Sequence, residues 1–174
     1  PEAAQNLRKL NSVSTAGSSN TSLLQSQLRT QSEILSLPLL GAVAAGVPLE
    51  SRVHDEFFEV SKSLVRNPAR SYVLKVKGQS MIDDGIFDGD FLIVQNDVTA
   101  SKGEIVIASI DGEATVKRFF PKARVPLEEQ NKVHFQKDVE YVELRPANPL
   151  FRSQYYPANK VEIMGVLTGL VRKF

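Results

Sequence analysis

The chain has 174 residues, 42% of them apolar and 24% charged, with a formal net charge of +1 and no cysteine. Near-neutral charge gives no electrostatic footprint for nucleic acid or a membrane surface, and the lack of cysteine excludes a disulfide framework, a thiolate zinc site and a cysteine nucleophile. No apolar run reaches the length needed to span a bilayer, and PEAAQNLRKLNSVSTAGSS carries no apolar signal core, so a cytoplasmic protein with no membrane partner is expected. A start at Pro1 rather than Met points to a processed or trimmed chain.

Residues 1–37 differ in texture from the rest. SVSTAGSSNTS (12–22) is almost entirely small and polar, cannot bury enough surface to offset chain entropy, and is expected as a flexible linker. SLLQSQLRTQSEILSL (22–37) places Leu24, Leu28, Gln31 and Leu35 on one helical face, which predicts a short helix with a thin apolar stripe. From Pro38 to Phe174 the pattern changes to short apolar runs broken by turn residues. SYVLKVKG (71–78) alternates, with Tyr72, Leu74 and Val76 on one side. FLIVQ (91–95) follows Asp-Gly-Asp. EIVIASI (104–110) and EATVKRFF (113–120) are separated only by Asp111-Gly112, a two-residue hairpin signal. KVHF (132–135), YVELRP (141–146) and VEIMGVLTGLVRKF (161–174) complete the set. Many short strands without a long helical pattern predict a mostly-β fold over 38–174.

Three local features can carry chemistry. Ser80, in GQSMIDDGIFDGD, begins a Ser-x-x-Asp pattern that can start a short helix. It is either a helix cap, the common role of such a serine, or a nucleophile beside free backbone N–H groups able to stabilise an oxyanion. Lys117 lies on the second hairpin strand, where alternation puts Thr115, Lys117 and Phe119 on one face and Ala114, Val116, Arg118 and Phe120 on the other. One of the two cations should face inward. Lys117 is either an exposed edge-strand lysine or a desolvated one whose lowered pKa suits it to general-base work. GAVAAGVP (41–48) is either a connecting loop or a small-residue segment able to enter a tight cleft in extended form. Four aspartates, Asp83, Asp84, Asp88 and Asp90, do not fit a calcium-loop spacing and belong more simply to turns. His54 and His134 have no partners at metal spacing, so neither a metal nor another cofactor is expected. Arg118 and Lys122 are expected to form a small solvated basic cluster.

Taken together, GQSMIDDGIFDGDFLIVQ, GEIVIASIDGEATVKRFF, PANPLF and GVLTGLVRKF resemble the C-terminal domain of the LexA family of self-cleaving repressors, related to UmuD and to phage repressors. The resemblance runs from about Pro38 to Phe174 and is densest over 71–120. It implies a twisted, multi-stranded β-rich autoprotease fold with a serine–lysine dyad, Ser80 as nucleophile and Lys117 as general base. It also implies a scissile bond between Ala45 and Gly46 within a cleavage region at 41–50, and backbone oxyanion donors at Ser80 and Met81. Implied partners are a RecA filament on single-stranded DNA as co-protease, a second copy of the chain through the C-terminal region, and operator DNA through an N-terminal domain. No helix-turn-helix pattern precedes residue 36, so residues 1–37 are expected as the linker or tail of that domain. The alternatives are an UmuD-like accessory subunit of a translesion polymerase, which Ala45-Gly46 in place of Cys-Gly disfavours, and a catalytically silent dimerisation module. Such a mechanism needs neutral Lys117, and moving a lysine pKa from about 10.4 toward 7 costs about 4–5 kcal/mol.

Overall fold

The computed structural model describes residues 33–40, 56–96 and 98–174. The Asp111-Gly112 signal is realised as a hairpin between β5 (Ile105–Ile110) and β6 (Glu113–Phe120), with Ile110 opposite Glu113. Both turn residues have positive φ, 47° and 96°, the geometry whose twist matches a right-handed hairpin and which Asp-Gly tolerates.

The other strands are β1 (Ile34–Leu40), β2 (Phe57–Ser61), β3 (Ser71–Lys75), β4 (Phe91–Gln95), β7 (Tyr141–Arg145), β8 (Gln154–Pro157) and β9 (Val161–Val171). They form one sheet in the order β2-β1-β3-β4-β9-β5-β6-β7-β8. All neighbours are antiparallel except β1 and β3, which run parallel over Leu39–Leu40 and Val73–Leu74. The mostly-β expectation is borne out. The described residues hold only one four-residue α-helical turn, Leu127–Gln130, besides short 3-10 turns, and none of their helices is long and apolar enough to cross a membrane.

Alternation sorts the core. Tyr72, Leu74 and Val76 share a cluster with Leu92, Val94 and Ile107, as the period-two pattern of 71–78 predicts. Val73 and Ile93 point the other way, into a second cluster with Leu37, Phe58 and Val60. A third cluster joins Val106, Ala108, Phe119, Val142, Leu144 and Val166. The central strands are thus apolar on both faces, which is why 91–95 reads as a continuous apolar run rather than an alternating one.

Two expected elements are corrected. Residues 34–37, placed in a helix by the spacing of Leu24, Leu28 and Leu35, lie in β1; residues 22–32 of that stretch are outside the described residues. Pairing with β2 and burial of Leu37 to 2% exposure override a weak helical stripe. KVHF (132–135) is a turn, not a strand: Val133 N–H bonds to the Glu129 carbonyl, Phe135 N–H to that of Gln130, and His134 has φ 49°. The helical turn before it captures these donors locally.

β9 ties the sheet together. Its residues 166–171 pair with β4 and its residues 161–166 with β5. The register slips at Ile93/Val94 and at Ile107/Ala108, leaving Thr168 and Met164 as extra residues that bend the strand. At the crossing, a Cβ on Gly165 would lie 2.6 Å from Val94 Cγ1 and 2.7 Å from the Gln95 carbonyl oxygen, so only glycine allows this approach. Just past β9, Arg172 reaches back to the 76–90 loop. Its Nε donates to Asp90 Oδ1 at 2.6 Å, and its Nη2 donates to Asp90 Oδ2 and the Gly85 carbonyl, both at 2.7 Å. Its guanidinium also lies 4.5 Å from the Phe87 ring centroid.

Gly165→Ala is expected to destabilise the fold by about 1–3 kcal/mol through overpacking, read as a lower urea midpoint at unchanged m-value; an unchanged midpoint would count against the close approach. The hydrogen-bonded Arg172 guanidinium holds the Asp90 carboxyl below its usual range. A carboxylate depressed on folding contributes stability above its unfolded pKa and loses it as pH falls through the folded value. In Arg172→Ala the buried Asp90 keeps its desolvation without its counter-ion, so acid unfolding should begin at higher pH than in the unsubstituted chain. Superimposable profiles of melting temperature against pH would refute this.

Candidate active site

The loop from Val76 to Asp90 carries Ser80. Its ends are closed by backbone bonds from Val76 N–H to the Asp90 carbonyl and from Gly89 N–H to the Val76 carbonyl. Gly78, with φ 100°, makes the turn toward the serine, and its N–H donates to Asp88 Oδ1 at 2.6 Å. Met81 and Ile86, 3% and 2% exposed, anchor the loop in the core cluster beneath it.

Ser80 does not cap the short helix that its motif suggests. The 3-10 turn is Ile82–Asp84, its N-cap is Met81, and no side chain caps it. Ser80 Oγ is therefore free of that role and lies 2.9 Å from Lys117 Nζ. Neither the Ser80 nor the Met81 N–H donates to another described residue.

Of the two hairpin cations, the lysine is the inward one. Lys117 is 8% exposed, opposite Val106 on β5. Its Nζ also donates to Thr115 Oγ1 at 2.7 Å and to its neighbour's carbonyl, Val116 O, at 3.0 Å. No carboxylate pairs with it among the described residues. Burial, which penalises the charged form, lowers its pKa from 10.5 to about 8.

A cleft of about 620 Å³ opens beside this pair, with residues 74–78 on one wall and 112–116 on the other. Both walls present backbone. β6 pairs with β7 only from Arg118 onward, and β3 pairs with β1 only at Val73 and Leu74. Residues 113–117 and 75–78 thus have an edge with no strand partner among the described residues, suited to an extended peptide.

The structure brings Ser80 and Lys117 together across 37 positions of sequence. Ala45, Gly46 and the rest of the expected cleavage region, and His54, lie outside the described residues. Arg118, expected in a solvated cluster with Lys122, instead bridges two elements: Nη2 donates to Asp84 Oδ1 at 2.6 Å and Nη1 to the Gly103 carbonyl at 2.7 Å. Its partner faces it from the serine loop, so the pair links that loop to the strand bearing Lys117. Sequence reasoning gave Thr115 a place on the Lys117 face but no role. It also gave no role to Asn148, whose Nδ2 donates to the Gln79 carbonyl at 2.8 Å. The only sequence signal for Asn148 is its place in PANPLF.

Residues 38–134 match the family model described as Peptidase S24-like. Among curated proteins, the chain is 39% identical over 140 residues to the LexA repressor of Syntrophobacter fumaroxidans, covering 80% of this chain and 60% of that protein. It is 41% identical over 144 residues to the LexA repressor of Syntrophomonas wolfei subsp. wolfei, covering 82% and 61%. It is 35% identical over 138 residues to the LexA repressor of Thermotoga petrophila, covering 79% and 62%. The chain thus spans about three fifths of the length of these relatives. Because the family match covers more than half of the residues, including both Ser80 and Lys117, the chain belongs to the Peptidase S24-like family.

Proposed function

We propose that this chain is the self-cleaving part of a LexA-like repressor of the DNA-damage response. Ser80 is the nucleophile, Lys117 the general base, and the bond between Ala45 and Gly46 the target. The observation that carries the reading is the 2.9 Å contact between Lys117 Nζ and Ser80 Oγ, with the lysine buried and its pKa lowered to about 8.

The hydrogen bonds suit the chemistry. A neutral lysine has two N–H hydrogens and one lone pair. Thr115 Oγ1 and the Val116 carbonyl accept the two hydrogens, so the lone pair is directed at the Ser80 hydroxyl and takes its proton. The Ser80 oxygen attacks the Ala45 carbonyl, and the Ser80 and Met81 N–H groups, which lack other acceptors among the described residues, receive the developing oxyanion. Protonated Lys117 returns the proton to the Gly46 nitrogen as that bond breaks. Water then hydrolyses the ester between Ser80 and Ala45.

Chain geometry favours a target within the same molecule. β1 ends at Leu40, which pairs with Leu74 on the wall of the cleft. The chain re-enters at Glu56, whose carbonyl accepts from the Leu39 N–H at 3.0 Å. Both ends of 41–55 are thus fixed to β1 and the adjoining cleft wall at Leu74, and well-oriented intramolecular attack reaches effective molarities of about 10⁵–10⁸ M. A RecA filament on single-stranded DNA would accelerate the reaction by favouring the docked segment. In the whole protein an N-terminal domain would bind operator DNA, and the C-terminal region would join two copies in the cytoplasm. On the β5 side, residues 167–171 of β9 have no strand partner among the described residues, which supports that dimer edge.

The active form of Lys117 is the neutral one. Self-cleavage of the purified chain should therefore rise about tenfold per pH unit below a midpoint near 8 and level off above it. Mass spectrometry should show fragments 1–45 and 46–174. Ser80→Ala should abolish cleavage, and Lys117→Ala should slow it by about 10²–10⁴-fold at pH 8. Cleavage persisting in Ser80→Ala, or a midpoint near that of an ordinary lysine, would overturn the mechanism.

A further inference from the structure

We propose that Asn148 is a positioning residue that aims the Ser80 backbone N–H into the cleft. The inference rests on the reading of that N–H as an oxyanion donor. The peptide between Gln79 and Ser80 is planar and trans, so its carbonyl and its N–H point in opposite directions. Whatever holds the Gln79 oxygen therefore also sets the direction of the Ser80 N–H. Asn148 holds it: Nδ2 donates to the Gln79 carbonyl at 2.8 Å.

The carboxamide is itself fixed. Asn148 is 4% exposed, and its Oδ1 accepts from the Leu150 N–H at 3.0 Å. With its oxygen engaged by a backbone donor, its nitrogen must face Gln79. The adjacent Ala147 carbonyl accepts from the Asp83 N–H at 2.7 Å, so two consecutive residues brace the loop on either side of Ser80 and Met81.

The loop needs such a brace. Gly78 stands two residues before Ser80 at φ 100°, and glycine resists peptide rotation least. The Gln79 side is exposed, so without Asn148 its carbonyl can turn to solvent and carry the Ser80 N–H out of line. Lys117 takes its own hydrogen bonds from Ser80 Oγ, Thr115 and Val116, whereas the Asn148 carboxamide bonds to Gln79 and Leu150. Asn148 thus controls oxyanion stabilisation separately from proton transfer.

That separation defines the test: the pH–rate profile of self-cleavage in the full chain, for Asn148→Ala and Asn148→Leu. The leucine keeps a branched side chain in the buried site, removes the donor to Gln79 and adds no charge near Lys117, so it reports even where the alanine variant folds poorly. Loss of one oxyanion donor typically costs about 10²–10³ in rate, so a misdirected one should lower the high-pH plateau about 10–100-fold. The midpoint should stay near 8, because neither substitution adds a charge or replaces a group that Lys117 Nζ bonds to. A plateau within about threefold of the unsubstituted chain in a folded variant overturns the proposal, since that is far below the donor effect. So does a loss accompanied by a shifted midpoint, the mark of a general collapse of the site. Cleavage persisting in Ser80→Ala instead overturns the dyad, and the positioning role with it.

Discussion

A lysine held out of water, with no carboxylate partner among the described residues, is the constraint on which this structure turns. Lys117 gives up hydration and, among the described residues, receives neutral acceptors in return: a serine hydroxyl, a threonine hydroxyl and a backbone carbonyl. A nearby carboxylate would stabilise the ammonium and raise its pKa; with none among the described residues, burial brings the value down to about 8. Such a site is a liability for folding, because below that pH the charged form is disfavoured in the native state relative to the unfolded chain. The surrounding sheet must therefore be stable enough to hold it. Residues 106–108 of β5 are fully buried beside it, and β9 locks β4 to β5 along the sheet's centre.

The serine loop is held with equal care, and by different means at each point. Met81 and Ile86 fasten it by apolar burial. Asp90 fastens its end to Arg172, Asp84 fastens its 3-10 turn to Arg118 on the lysine strand, and Asn148 holds the Gln79 carbonyl. Apolar anchors fix the depth of the loop but leave its peptide orientations free, whereas directional hydrogen bonds fix orientation. For a site whose proposed oxyanion donors are backbone N–H groups, orientation is the property that counts.

These differences in mechanism explain what was legible in the sequence. Local, periodic features were: the Asp111-Gly112 hairpin, the alternation of Tyr72, Leu74 and Val76, and the apolar run 91–95. Alternation narrowed the inward cation to Lys117 or Arg118 but could not choose, because each shares its face with apolar residues, Phe119 beside Lys117 and Ala114, Val116 and Phe120 beside Arg118. The choice depends on which face the serine loop covers, a tertiary fact. Bonds such as Asn148 to Gln79, Arg172 to Asp90 and Arg118 to Asp84 join residues 34 to 82 positions apart and leave no local signature. The two misread elements fail for related reasons. The stripe ending at Leu35 was too thin to outweigh strand pairing at 34–40, and KVHF has a strand-like composition but no neighbour to pair with once the turn at 127–130 captures its N–H groups.

The pKa of Lys117 also bears on how the proposed reaction would be controlled. With a value of about 8, roughly one lysine in ten is already neutral at pH 7, against about one in 2,500 for an unperturbed side chain. An activator that acted only by discharging the lysine could then accelerate cleavage at neutral pH by no more than about tenfold. Docking has a wider range. If the segment after Leu40 occupied the cleft about 1% of the time, a partner that held it there would gain about a hundredfold, and needs a differential affinity of about 5.5 kcal/mol to do so. Lowering the lysine's pKa in the fold itself therefore leaves the position of the target segment as the larger variable, and a regulatory partner would act by capturing that position rather than by contributing to the chemistry.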